Sequence, residues 1–251
     1  MKKMLKLVLI IFLTGCATTT TNINKDRGES HYKMGLAYLN TSEDYMAIAE
    51  FQKALEANPE DHRVYYAIST FFIKKGKLPD AEKNIVKAIS LSPNNSEYRN
   101  TYASILAGEG KIESAVVEWK KALEDPTYPF ASLVNYNIGL AYFNTSRYDE
   151  ALKYFTDSFK LNPKVITPIL FLYRTYIELK DDKNAENTLI TGIQVNPSSL
   201  ELKMELGRHY YNMGNYALAS KQLVEIIDLK PKSEYAKQAA ELLKSMGIYN
   251  E

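Results

Sequence analysis

In 251 residues the sequence has one cysteine, Cys16, one tryptophan, Trp119, and three histidines, His31, His62 and His209. A lone cysteine closes no disulfide within the chain, which excludes a disulfide-stapled fold. The histidines are scattered, with no second cysteine and no paired carboxylates at ligand spacing, so the three or four convergent ligands of a metal site are not expected. No G-x-S-x-G, P-loop or dinucleotide-type glycine pattern occurs, and "GEGK", Gly108 to Lys111, reads as a turn between helices. No apolar run approaches the roughly 20 residues needed to span a bilayer. Charge of one sign is lacking too, with 31 Lys plus Arg against 30 Asp plus Glu and no basic cluster interleaved with aromatics. A phosphate-binding face is thereby excluded, and with it a nucleic-acid partner. Together these absences leave an enzyme without reactive groups, so no catalysis, cofactor or small-molecule substrate is expected.

What is present begins at the first residues. Lys2, Lys3 and Lys6 precede the apolar run Leu7 to Leu13, which stops at "TGCATTTT". Positive start, short apolar stretch and small residues, in that order, are the anatomy of a secretory signal. Leu13-Thr14-Gly15-Cys16 resembles the lipobox of bacterial lipoproteins, in which the signal is cut before the cysteine and the thiol is lipidated. The resemblance implies a signal peptide over residues 1–15, a covalent lipid on Cys16 and attachment to a membrane. Ala17 stands where the resemblance would place Asp for inner-membrane retention, so the expected location is the outer membrane, facing the periplasm. Cleavage leaves 28 basic against 30 acidic residues. Residues 16–27 read as the lipidated cysteine and a flexible tether with a reach of roughly 17–20 Å.

Downstream, an internal repeat organises the chain. Pro59, Pro93, Pro163, Pro197 and Pro231 are spaced 34, 70, 34 and 34 residues apart, each after an apolar helical end such as "ALEANP" or "GIQVNP". The segments "GLAYLNTSEDYMAIAEF" from Gly35 and "GLAYFNTSRYDEALKYF" from Gly139 are near-copies. A period of 34 resembles the tetratricopeptide repeat, a helix-turn-helix unit. Six units fit: 28–61, 62–95, 96–129, 132–165, 166–199 and 200–233, with 234–251 as a C-terminal capping helix. The expected fold is all-α, a right-handed superhelical solenoid. Position eight holds Gly35, Ser69, Ala103, Gly139, Tyr173 and Gly207; position twenty is alanine throughout, at Ala47, Ala81, Ala115, Ala151, Ala185 and Ala219. Helices packed at 8–10 Å leave no room there for a longer side chain. The tryptophan that the repeat family carries at position four is absent from every unit, and Tyr173 at a small-residue position predicts looser packing in the fifth.

Positions 2, 5, 9 and 12 of such repeats line a concave groove. The candidate partner-binding residues are accordingly Tyr32, Leu36, Leu39, Tyr66 and Ile73 in the first units and Tyr136, Leu140 and Phe143 in the fourth. Apolar and aromatic, they suit a segment of another protein. Tyr32 and Leu36 occupy the place where a carboxylate clamp would begin, so capture of a C-terminal carboxylate is not expected.

The link "EDPTYPFASLVNYNIGLAYF", Glu124 to Phe143, carries a two-residue insertion and the pair Pro126 and Pro129. With the lipobox and six repeats, it resembles the tetratricopeptide lipoproteins of type IV pilus biogenesis, the PilF/PilW and Tgl pilotin family. That resemblance implies an outer-membrane-anchored assembly factor that binds subunits of the pilus secretin and promotes their localisation and multimerisation. An adaptor for cell-wall hydrolases or other envelope complexes is the alternative, and a subunit of the outer-membrane protein insertion machine a third.

Overall fold

The computed structural model describes residues 24–248, and Cys16 with the signal and most of the tether lies outside them. The described residues form thirteen α-helices and no strand. They are α1 (residues 24–40), α2 (Asp44–Ala57), α3 (His62–Lys74), α4 (Leu78–Leu91), α5 (Ser96–Gly108), α6 (Ile112–Ala122) and α7 (Ala131–Asn144). Then follow α8 (Tyr148–Leu161), α9 (Ile166–Glu178), α10 (Asp182–Val195), α11 (Leu200–Asn212), α12 (Tyr216–Leu229) and α13 (Glu234–Ser245). The chain divides into two compact units, one ending at Asp125 and the other beginning at Pro126.

In each unit, antiparallel helix pairs stack on one another: α1–α2, α3–α4 and α5–α6 in the first, α7–α8, α9–α10 and α11–α12 in the second. The small residues explain the close pairing. All six position-twenty alanines have 0% exposure, and the large residue four places later fills the gap between helices: Phe51, Ile85, Trp119, Phe155, Leu189 and Leu223. At position eight a glycine makes room for that knob. A Cβ on Gly35 would sit 2.5 Å from the Phe51 ring, and one on Gly139 would sit 2.6 Å from Phe155. Ser69 takes the same place in the second repeat and donates instead to the Ala81 carbonyl at 2.8 Å.

One feature differs from the sequence reading. Residues 24–27, assigned to the tether, are the first turn of α1, because a nucleated helix propagates at little cost through polar residues that no apolar periodicity marks. The fifth pair keeps Ala185 and Leu189 fully buried, yet α9 and α10 lie against each other less extensively than the helices of the second, third, fourth or sixth pair, the looser packing expected around Tyr173. Gly192 lets Ile169 approach to where a Cβ would be 2.8 Å away, while the Tyr173 ring meets His209 of α11 edge-on at 5.7 Å.

Basic residues take the place of the missing position-four tryptophan in three repeats. His31 pairs with Glu50 at 2.6 Å, Arg99 with Glu118 at 2.8 Å and Lys203 with Glu225 at 2.6 Å, each joining the two helices of a pair. At the C-terminal end, the Ser233 hydroxyl accepts from the Ala236 N–H at 3.1 Å and starts α13. That helix buries Ala239 and Leu243 against Met204, Leu223 and Ile226. Among the described residues no helix is long and apolar enough to cross a membrane.

Candidate protein-binding groove

The residues predicted to line a groove fall into two sets, one in each unit. In the first, Tyr32, Leu36 and Leu39 on α1 are half-buried against the core of Phe51, Val64 and Ile68. The Tyr32 ring lies 6.2 Å from Phe51 and carries the Arg63 guanidinium 4.9 Å above its face. That arginine is already neutralised, donating to Glu29 at 2.6 Å and Asp61 at 2.7 Å. Tyr66 stacks on Tyr98 at 4.7 Å and donates to Glu97 at 3.1 Å, and Ile73 packs on the core around Ile85 and Ile105. Burial, reinforced by Glu97, pushes the Tyr66 hydroxyl above its usual value, and burial pushes Tyr98 up to about 12. These phenols therefore stay neutral at any physiological pH. The surface of the first unit is aromatic but largely self-satisfied, its side chains held by contacts within the protein.

The second unit differs. Tyr136 on α7 meets Phe155 at 5.9 Å and Phe171 at 5.6 Å, and Phe143 meets Tyr148, Phe155 and Phe171 at 5.6, 6.5 and 5.6 Å. Leu140 is half-buried on the same helix. Edge-to-face packing of this kind contributes beyond area burial and fixes the ring orientations. Phe171, a central member of the cluster, was missed by the positional rule because it stands at position six of its repeat. The only signal for it is its place three residues, about one helical turn, before inward-position Arg174. Arg174 lies over the Phe171 ring at 5.1 Å and is exposed.

The two-residue insertion has a structural consequence as well. Tyr128 is buried, packed edge-to-face on Phe130 with the ring centres 5.7 Å apart, and Phe130 becomes the N-cap of α7 with 51% of its surface exposed. Below it, Ser132 and Ser158 exchange hydroxyl-to-carbonyl hydrogen bonds at 3.0 and 2.8 Å between α7 and α8. A cavity of about 260 Å³ opens beside them, lined by Pro129, Phe130, Leu133, Tyr136, Val165 and Pro168 among others. Among the described residues no group of three or more His, Cys, Asp or Glu could hold a metal ion. The chemistry on offer is apolar contact, ring faces and a few fixed charges, which is the chemistry of holding a polypeptide.

Residues 28–61, 62–95 and 133–165 match the tetratricopeptide repeat. Over 183 residues the chain is 27% identical to the type IV pilus assembly protein PilF of Pseudomonas aeruginosa, which covers 68% of this chain and 73% of that protein. An uncharacterized protein of Haemophilus influenzae is 21% identical over 140 residues, 55% of this chain and 78% of that one. The solved structure of Pseudomonas aeruginosa PilF matches with a TM-score of 0.64 at 22% identity, over 87% of this chain and 99% of that one. PilW, described as a widely conserved type IV pilus biogenesis factor, matches with a TM-score of 0.61 at 20% identity, over 84% and 97%. The chain thus carries tetratricopeptide repeats at residues 28–95 and 133–165 within an all-α repeat fold, and it is similar in sequence to a type IV pilus assembly protein.

Proposed function

We propose that this protein is a non-catalytic assembly factor of type IV pilus biogenesis. A lipid on Cys16 holds it at the periplasmic face of the outer membrane. Its repeat surfaces bind subunits of the pilus secretin and promote their localisation and multimerisation, and no cofactor takes part. The observation that carries this reading is the similarity to the pilus assembly protein PilF over 68% of the chain. A repeat array of helix pairs with aromatic surfaces supports it, since such an array offers contact area rather than reactive groups. An assembly factor of this kind needs only to shield the apolar surface of an unassembled subunit and release it as neighbouring subunits replace the contact.

The test is genetic. Deleting the gene should remove heat-resistant secretin multimers and surface pili, and wild-type protein should restore both. Cys16→Ala, expressed at equal level, should restore them poorly and should take up no palmitate analogue. One acyl chain anchors only marginally, so stable attachment requires the several chains that a bacterial lipoprotein carries. Normal multimers and pili in the deletion strain would reject the reading, and palmitate label persisting on Cys16→Ala would reject the anchor.

A further inference from the structure

The second unit leaves both an apolar cavity and an unneutralised cation on its surface. Phe130, Leu133 and Val165 at the mouth of the 260 Å³ cavity are 51%, 50% and 40% exposed, unusual for large apolar side chains so close together. The cavity falls below the roughly 300–1,000 Å³ of small-molecule sites, which fits one or two side chains better than a metabolite or cofactor. The Ser132 and Ser158 hydroxyls in its wall are already satisfied by each other's carbonyls, which leaves Asn162, Thr167 and Tyr136 as the polar groups beside a mainly apolar lining.

Arg174 is the unneutralised cation beside this cavity's wall. Arg63 meets Glu29, Arg99 meets Glu118, Arg147 meets Glu150 and Arg208 meets Glu205. Arg174 has no carboxylate within ion-pair distance among the described residues, and its guanidinium rests on the Phe171 ring. Phe171 meets Tyr136 edge-on at 5.6 Å, and Tyr136 is also a wall of the cavity. Cavity and cation are thus joined by two rings, a distance that an extended chain covers in about three residues at roughly 3.3 Å each.

We infer that the surface from Phe130 to Arg174 docks an extended segment of another protein that carries a large apolar residue and, about three residues away, an aspartate or glutamate. The apolar residue fills the cavity and the carboxylate pairs with Arg174. The complementarity excludes a basic or purely apolar segment as the preferred occupant. In the first unit Arg63 also lies over an aromatic ring, but it is already occupied by Glu29 and Asp61 and offers such a segment no free cation. This inference rests on the reading of the protein as a partner-binding repeat array, but it names a different surface from the first-unit residues and needs no particular partner.

The experiment is selection from a phage-displayed library of random nine-residue peptides on the full-length purified chain. One selected peptide is then synthesised and titrated by fluorescence anisotropy. Selected peptides should share an apolar residue and an acid two to four residues apart. Leu133→Arg should weaken binding at least tenfold. Arg174→Glu should weaken it about tenfold and should be rescued by a peptide whose acid is replaced by lysine, a recovery that a folding defect would not produce. Both substituted positions are exposed, and unchanged melting of the variants checks the fold. Peptides without an acid, unaltered binding to Leu133→Arg, or absence of rescue would each overturn the inference. So would a dimer in sedimentation that Leu133→Arg dissolves, since the patch would then be covered by a second copy. The readout uses no pilus and no secretin, so its failure leaves the proposed function standing.

Discussion

At position twenty of each repeat the methyl of an alanine is all that the space between two helices admits. Ala115 has 0% exposure beside the Trp119 ring, whose indole N–H donates to Asn100 at 3.2 Å. Ala115→Leu would have to displace that ring or part α5 from α6, at a cost of about 1–3 kcal/mol. It should lower the melting temperature by roughly 2–4 °C for each kcal/mol. An unchanged transition would refute the packing described for this pair. Turn residues obey a different rule. The residue that connects the two helices of each repeat lies in the left-handed region, as with Gly110 at φ 78° and Lys180 at φ 58°. That conformation costs a side-chain-bearing residue roughly 1–2 kcal/mol, while a glycine gives up about 0.5–1 kcal/mol of unfolded-state freedom. Lys180→Gly should therefore stabilise by up to about 1 kcal/mol and Gly110→Ala should destabilise by a similar amount, read as opposite shifts of the urea midpoint. Shifts of the same sign would show that the turns do not carry this strain.

At the scale of the helix, what joins two partners varies from repeat to repeat although the geometry does not. Glu118 on α6 accepts from Arg99 on α5 at 2.8 Å and from Lys121 at 2.7 Å. Burial pushes this carboxyl upward, but Lys121 and Arg99 outweigh it and hold it below the usual value. A carboxyl whose pKa is lower folded than unfolded stabilises the fold where it is ionised in both states. The contribution is complete above the unfolded value, about 4.3, and is lost as pH falls through the folded one. Melting temperature should thus hold from pH 7 to about 5 and fall below about 4. Glu118→Gln should cost about 1–3 kcal/mol at pH 7, by leaving Arg99 without its carboxylate, and should flatten the acid limb. A variant that loses stability with acid as steeply as the wild type would show that other carboxylates carry the effect. None of these cross-pair struts was visible along the sequence. His31 and Glu50, or Arg99 and Glu118, stand 19 residues apart and become neighbours only when a helix pair closes. The helix pairs themselves were visible, because prolines at a period of 34 and an invariant alanine report a constraint that recurs in every unit.

For the molecule as a whole, the repeat period made the architecture legible, whereas the candidate binding surface was legible only in part. Tyr136 and Phe143 are in the second unit's aromatic cluster because inward positions follow from the repeat register, but exposure of Phe130 and Leu133 and the lack of a carboxylate at Arg174 are tertiary properties with no local signature. The far end of the array raises the same issue of faces that need a neighbour. A repeat buries its apolar face only against the next, so the last one requires a terminator. In the second unit that terminator is α13, which covers Met204, Leu223 and Ile226, each at most 2% exposed. Ending the chain after Lys232 would return part of these side chains to water, at a cost on the order of a few kcal/mol given about 1.5–3 kcal/mol for each large apolar group. In a stack where each pair contacts only its neighbours, that loss is felt next to the cut and decays with distance. Amide hydrogen exchange in the truncated chain should therefore accelerate most in α11 and α12, less in α9 and α10, and least in α7 and α8. Equal acceleration throughout the second unit would mean that it unfolds as one cooperative block, and no acceleration would mean that α13 does not act as a cap.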